Sequence, residues 1–157
     1  MAWFEASALG DFMRETGRWT YGLTNLVHVL GIALLFGAIT VLDLRLVGVW
    51  RKIPISAIAV PTVAVAATGL AVAVTSGVFL FSAQATEYLG NPFFYYKLGA
   101  IALGLFNLAL LHYSPSWKAL KRGELPDKLH GRLALAGGAS LLIWLAAIAS
   151  GRMIAYW

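Results

Sequence analysis

The sequence predicts an all-α integral membrane protein, namely a four-helix up-down bundle preceded by an amphipathic helix that lies in the membrane interface. Two observations support this class. Of the 157 residues, 60% are hydrophobic and only 12% are charged, and the apolar residues fall into four long runs. A typical soluble domain has about 25% charged residues, and one of this length could not bury so much apolar surface. The same abundance of apolar side chains excludes a disordered chain.

The first predicted element is an interfacial helix within residues 1–19. On a helical projection of residues 6–19, the apolar and polar side chains separate onto two sides. The apolar side holds Ala6, Ala8, Leu9, Phe12, Met13 and Trp19, and the polar side holds Ser7, Asp11, Arg14, Glu15 and Arg18. This pattern is typical of a short helix in the plane of the membrane interface.

The four apolar runs are predicted membrane spans, at residues 22–42, 57–81, 92–112 and 133–157. Each has the roughly 20 residues that a helix needs to cross about 30 Å of hydrocarbon. Lys97 and Arg152 are the only formal charges within them. The alternating Val and Ala residues of the second run resemble a strand, but an open strand cannot satisfy its backbone in lipid. The whole chain is therefore predicted to form one membrane domain, residues 1–157.

The basic residues predict the orientation of the bundle. Eight lie on or beside the loops after the first and third spans, and four lie on the opposite side. The first group is Arg45, Arg51, Lys52, Lys118, Lys121, Arg122, Lys128 and Arg132, and the second is Arg14, Arg18, Lys97 and Arg152. Because cytoplasmic loops carry the excess of Lys and Arg, we expect these two loops inside and both termini outside. The net charge of +5 then needs no nucleic-acid partner.

His28 is the strongest candidate for a functional residue, since polar side chains within spans face protein, water or a ligand. It shares a helix face with Gly31, where a flat ring could approach the backbone closely. One interpretation makes His28 a haem ligand, and therefore a metal ligand, or a proton-relay group. The other makes it a donor to a carbonyl of a neighbouring helix.

His28 and His112 cannot both bind one iron within a single chain, because helical rise separates their depths by about 21 Å. A haem at His28 would be five-coordinate, would take Met153 as its sixth ligand, or would lie between two chains. Lys97 and Arg152 are candidate cations for its propionates, and Lys97 could otherwise snorkel to the interface. We expect His130 to be a solvated loop residue.

Small residues on the fourth span predict close helix packing. Gly137, Ser140, Ala147 and Gly151 lie on the same stripe as Trp144, and small residues let helices approach in lipid. The stripe could serve a homo-oligomer, with two-fold symmetry as the default, or packing within one chain.

At the end of the first span, Asp43 is expected to pair with Arg51 or Arg132 and to lock the topology.

Catalytic motifs are missing from the sequence. Without cysteine there is no disulfide, thiolate metal site or c-type haem attachment. No zinc motif, phosphate loop or nucleophile–base signature supports hydrolysis or group transfer. No catalytic residue is therefore assigned, and the protein is at most an electron-transfer component.

Several segments together resemble an uncharacterised family of small bacterial four-helix inner-membrane proteins. They are the sequences at 27–31 (VHVLG), 43–46 (DLRL), 91–92 (NP) with Lys97, Asn107 with His112, and 151–156 (GRMIAY). The resemblance implies a bacterial inner-membrane location and brings no activity. More loosely, the architecture is similar to CopD-type copper-resistance membrane proteins and to b-type cytochrome membrane subunits, which carry histidines on transmembrane helices.

These observations favour a haem b-binding, redox-associated membrane protein that uses His28 in the outer half of the bilayer, with Gly31, Lys97, Arg152 and Met153 around the cofactor. Its partners would be the lipid bilayer, a second copy of the chain and a redox partner. A non-enzymatic structural or accessory subunit is the first alternative. A copper or small-solute permease is the second.

The orientation can be checked with reporter fusions. Because basic residues mark the cytoplasmic loops, a reporter after Trp157 should report the outside and one inserted within residues 120–127 should report the cytoplasm. Reporters on the same side at both positions would contradict the predicted topology.

Overall fold

A computed structural model describes residues 2–15, 17–122 and 127–157. No strand forms among these residues. The helices are α1 (Ala2–Glu5), α2 (Ala8–Glu15), α3 (Arg18–Val47), α4 (Ile55–Ala83), α5 (Ala85–Gly90), α6 (Pro92–Tyr113), α7 (Pro115–Arg122) and α8 (Asp127–Met153), followed by a 3-10 turn at Ile154–Tyr156. The predicted all-α class is confirmed.

The four long helices, α3, α4, α6 and α8, are each long and apolar enough to cross a membrane. This confirms a multi-pass membrane protein. Most of them extend beyond the predicted spans: α3 has 30 residues, or about 45 Å at 1.5 Å per residue. Its two ends therefore extend into the headgroup regions. Polar and charged residues there interrupt the apolar run, so hydropathy alone predicts a shorter span. His130, expected in a loop, lies in the first turns of α8, and its side chain is outside the described part.

The spans pack in the order α4, α3, α8, α6. Helix α3 lies between α4 and α8, and α8 lies between α3 and α6, whereas among the described residues no comparable face joins α4 to α6. A central cluster of Leu35, Trp144 and Ala147 fills the space between them, packed against Ala66, Leu70, Ala100 and Ile101 among others. We call the boundary between Ala66 and Leu70 of α4 and Ala100 and Ile101 of α6 the α4–α6 seam.

Helices α3 and α4 approach each other closely at Gly31 of α3 and Gly69 of α4. A Cβ added to Gly31 would lie 2.7 Å from the backbone nitrogen of Ala73, and one added to Gly69 would lie 2.5 Å from that of Leu35. Any side chain at either position would therefore force the helices apart. Such contacts between small residues are a principal source of helix association in lipid.

The small-residue stripe of α8 is used within the chain. A Cβ at Gly137 would meet the backbone of Asp43 at 3.0 Å, and Trp144 packs against Gly104 of α6. The stripe therefore holds α8 between α3 and α6. The homo-oligomer remains a prediction, and this face no longer supports it.

The chain termini and α5 lie at one end of the bundle, which we call the terminal end, and the α3–α4 turn and α7 lie at the other, the turn end. At the terminal end, α1 and α2 fold against α4 and α5. The Glu5 carboxylate accepts hydrogen bonds from the backbone and hydroxyl of Thr86, and Met13 is buried. The N-terminal segment thus forms two short helices separated by a turn at residues 6–7, where the sequence indicated one.

Asp43 lies between α3 and α8 and is 3% exposed. It forms a side-chain hydrogen bond with Ser140, and its Oδ2 atom has no partner. Neither expected arginine pairs with it, because the only ion pair among the described residues joins Arg14 to Asp11. The topology lock expected at this position is therefore a hydrogen bond to α8, not an ion pair.

The isosteric change Asp43→Asn should be tolerated. It keeps an acceptor for Ser140 and removes a charge that has no cationic partner, and unpaired buried charges are costly in proteins. We expect Asp43→Asn to unfold in detergent at a temperature no lower than that of the unmodified protein. Ser140→Ala should lose about 1 kcal/mol of stability. A larger loss in Asp43→Asn than in Ser140→Ala would show that the charge itself stabilises the fold.

Candidate functional site

His28 lies on α3 one turn before Gly31 and faces α4. Its Nδ1 atom is 2.8 Å from the carbonyl oxygen of Ala73 and 3.1 Å from the hydroxyl of Ser76. Since a carbonyl oxygen only accepts, we assign the ring proton to Nδ1. The other nitrogen, Nε2, then carries a lone pair and has no hydrogen-bond partner among the described residues.

Gly77 makes room for this ring. A Cβ added there would lie 3.1 Å from Cε1 of His28, so a larger residue would displace the imidazole. Ser76 donates to the carbonyl of Val72 on its own helix, and it also faces His28. The contributions of Ala73 and Gly77 were not predicted from the sequence. The available signal was the spacing of Gly69, Ala73, Ser76 and Gly77 along one face of α4.

Lys97 approaches the same interior from α6. Its stem lies along Gly151 of α8, with Nζ 3.6 Å from the position of an added Cβ. No hydrogen bond or ion pair joins the ammonium to any other described side chain. An intramembrane lysine without an ionic partner is costly, which makes Lys97 a candidate for binding an anionic group.

Three other predicted site residues lie elsewhere. Arg152 donates to the hydroxyl of Tyr156 over 2.7 Å, and its guanidinium lies 5.0 Å from the centre of that ring. Met153 is 43% exposed. The space beside Gly31, where a flat ring was expected, is filled by the backbone of α4.

The structure therefore places His28 at the interface of α3 and α4 and Lys97 at the interface of α6 and α8. His112, at the far end of α6, lies about 22 Å along that helix from Lys97. No group of three or more His, Cys, Asp or Glu residues assembles in the described part of the chain. A copper site of several such ligands is thus not formed there, whereas a haem iron requires only one or two protein ligands.

Aromatic side chains cover the site at the terminal end. Phe81 of α4 stacks on Phe94 of α6 with ring centres 5.4 Å apart, and Phe4 of α1 packs on Phe81. Tyr88 lies beside this pair with its hydroxyl 3.4 Å from that of Tyr21. Burial, together with this hydrogen bond, raises the pKa of the Tyr88 phenol. The cover is therefore neutral and closes the α4–α6 seam at this end.

Comparison with known proteins gives one match, which covers residues 1–157 and is described as a family of unknown function, DUF6644. No curated protein and no solved structure matches the chain. The expected resemblance to an uncharacterised family is therefore confirmed, whereas the looser similarity to CopD-type proteins and cytochrome subunits remains a prediction. The chain belongs to the DUF6644 family.

Proposed function

We propose that this small membrane protein binds haem b through His28 and takes part in electron transfer. The observation that carries the proposal is the hydrogen bond from Nδ1 of His28 to the Ala73 carbonyl. Histidines that bind metals almost always donate their other ring nitrogen in this way, which fixes the tautomer and the orientation of the ring. The same bond leaves Nε2 of His28 ready to act as an axial ligand.

A haem also needs a cationic partner for its propionates, and Lys97 fits this role. The propionates of haem are anionic, and the ammonium of Lys97, which has no ionic partner among the described residues, would bind one of them with a charge-assisted hydrogen bond. Haem b, when bound, supplies one-electron chemistry, while the protein supplies binding, orientation and electrostatics. His28 and Lys97 are the two residues that we assign to holding it.

The proposal does not assign Gly31, Arg152 or Met153 to holding the haem. Helix α4 occupies the face of Gly31, and the other two side chains lie at the surface near Tyr156. The α4–α6 seam is the side where a flat ring could enter with the least loss of helix packing, because those two helices share no extensive face. A second axial ligand would come from a second chain, or the iron would be five-coordinate.

The main alternative is a non-enzymatic accessory subunit in which His28 only joins two helices. One observation favours it: both hydrogen bonds of His28 go to α4. In addition, two cavities of about 310 and 350 Å³ lie at the two ends of the bundle, and His28 lines neither of them. The alternative predicts a colourless protein whose stability falls when His28 is replaced.

Location and orientation complete the proposal. His28 lies ten residues after the start of α3, near the terminal end. With both termini outside a bacterial inner membrane, the site would lie in the outer half of the bilayer. A redox partner would then approach from the outer face.

An absorption spectrum of the protein purified in mild detergent tests the haem proposal. The unmodified protein should show a Soret band, and His28→Ala should abolish it because the axial ligand is lost. Lys97→Gln should weaken haem binding by about tenfold, the effect of one charge-assisted hydrogen bond. His112→Ala is the matched control and should retain the band.

Circular dichroism on the same samples shows whether each variant remains helical. A helical His28→Ala protein that keeps its Soret band would contradict the assignment of the ligand. Loss of the Soret band in His112→Ala alone would indicate that haem binds at the turn end of the bundle. A colourless unmodified protein that takes up no added haem would favour the accessory subunit.

A further inference from the structure

A basic cleft lies at the turn end, between the end of α3 and the start of α8. Its volume is about 350 Å³, and its lining includes Arg45, Gly48, Arg51 and Gly131. Neither His28 nor Lys97 borders it, so it is separate from the proposed haem site. Among the described residues no acidic side chain lines it: Asp43, on the preceding turn of α3, is buried against Ser140.

The two guanidinium groups of the cleft are held in place by the α3–α4 turn. Arg45 donates through Nε to the carbonyl of Ile53 and through Nη2 to the carbonyl of Arg51. Arg51 lies across Gly48, where an added Cβ would be 2.8 Å from its Nε and Nη2 atoms. Gly48 also has a φ of 121°, so both its backbone conformation and its lack of a side chain are required.

The charge of Arg51 is not neutralised within the described part of the chain. Its guanidinium makes no hydrogen bond or ion pair with another described residue, and Arg45 retains N–H groups that its two backbone bonds do not use. Guanidinium groups bind phosphate oxygens with matching planar geometry. The cleft therefore fits an anionic phosphate group.

The surroundings of the cleft place it at the level of the lipid headgroups. Val49, Trp50 and Ile53 of the turn are exposed apolar residues, as are Val47 of α3 and Leu135 of α8. Exposed tryptophan is typical of the boundary between membrane and water, and exposed aliphatic residues along α3 and α8 provide a path for acyl chains. Basic pockets between transmembrane helices are known to bind anionic lipid headgroups.

We propose that this cleft binds the phosphate group of an anionic phospholipid, with Arg51 and Arg45 contacting the phosphate oxygens and the acyl chains lying along α3 and α8. The site depends on the geometry of the α3–α4 turn and not on the proposed haem. It would serve in whichever leaflet the turn end occupies. The lipid would also hold the turn against α8.

Native mass spectrometry of the full chain, with phosphatidylglycerol or phosphatidylethanolamine added, tests this site. The unmodified protein should bind phosphatidylglycerol at least fivefold more tightly than phosphatidylethanolamine. Arg51→Gln should weaken phosphatidylglycerol binding by about tenfold, the effect of losing one charge-assisted hydrogen bond to the phosphate. Lys52→Gln removes the same charge at the next residue, which does not line the cleft, and should weaken binding by less, at most about fivefold.

Gly131→Leu gives a second measure that leaves the charge unchanged. An added Cβ at Gly131 meets no atom of the described residues within 4 Å, so the variant should fold while its side chain fills the cleft and reduces phosphatidylglycerol binding. If Arg51→Gln does not fold, Gly131→Leu still tests whether the lipid binds in the cleft. Equal losses in Arg51→Gln and Lys52→Gln, or full binding in Gly131→Leu, would overturn the proposal.

Inorganic phosphate distinguishes a lipid from a free anion. Because the acyl chains contribute to binding, millimolar phosphate should leave most of the phosphatidylglycerol bound. Complete displacement by phosphate would show that the cleft takes a soluble phosphate, and would overturn the lipid assignment.

Discussion

At Gly31 and Gly69 the backbones of α3 and α4 touch, and this contact determines where the polar groups of the bundle lie. His28 is one turn from the contact, so its imidazole can reach the Ala73 carbonyl across the interface. Gly77 provides the space for the ring on the other side. In lipid, where apolar side chains gain nothing by meeting each other instead of acyl chains, such close backbone packing is what holds helices together.

Most intramembrane polar groups in the described part are satisfied by a backbone carbonyl. Asn107 of α6 donates to the carbonyl of Ala136 on α8, just as His28 donates to Ala73, and such bonds join neighbouring helices without any ligand. Oγ1 of Thr40 and Oδ2 of Asp43 are exceptions, and within the described part Lys97 forms no hydrogen bond or ion pair. Nε2 of His28 also has no hydrogen-bond partner there, and the proposed haem site depends on this nitrogen and on the ammonium of Lys97.

The sequence was sufficient for the number of spans, because span length and hydropathy follow from the thickness of the bilayer. It could not predict which helices touch. A helical projection places Gly31 on the same face of α3 as His28. Whether a ligand or another helix fills that face depends on which helix packs against α3. Arg152 shows the same limit, since its depth matches Lys97 while its side chain turns to Tyr156, four residues away on its own helix. The hydrogen bond that Ser140 of α8 donates to Asp43 likewise depends on helix pairing.

The stability of two glycine variants on the same helix tests whether the α3–α4 contact organises the bundle. Gly31→Ala should lose about 1–3 kcal/mol, because its Cβ collides with the backbone of α4 and overpacking costs about that much. Gly37→Ala is the control, since an added Cβ there meets no atom within 4 Å, and it should be neutral or slightly stabilising. Thermal unfolding in one detergent compares the two. Equal stability of the two variants would contradict this account of the fold.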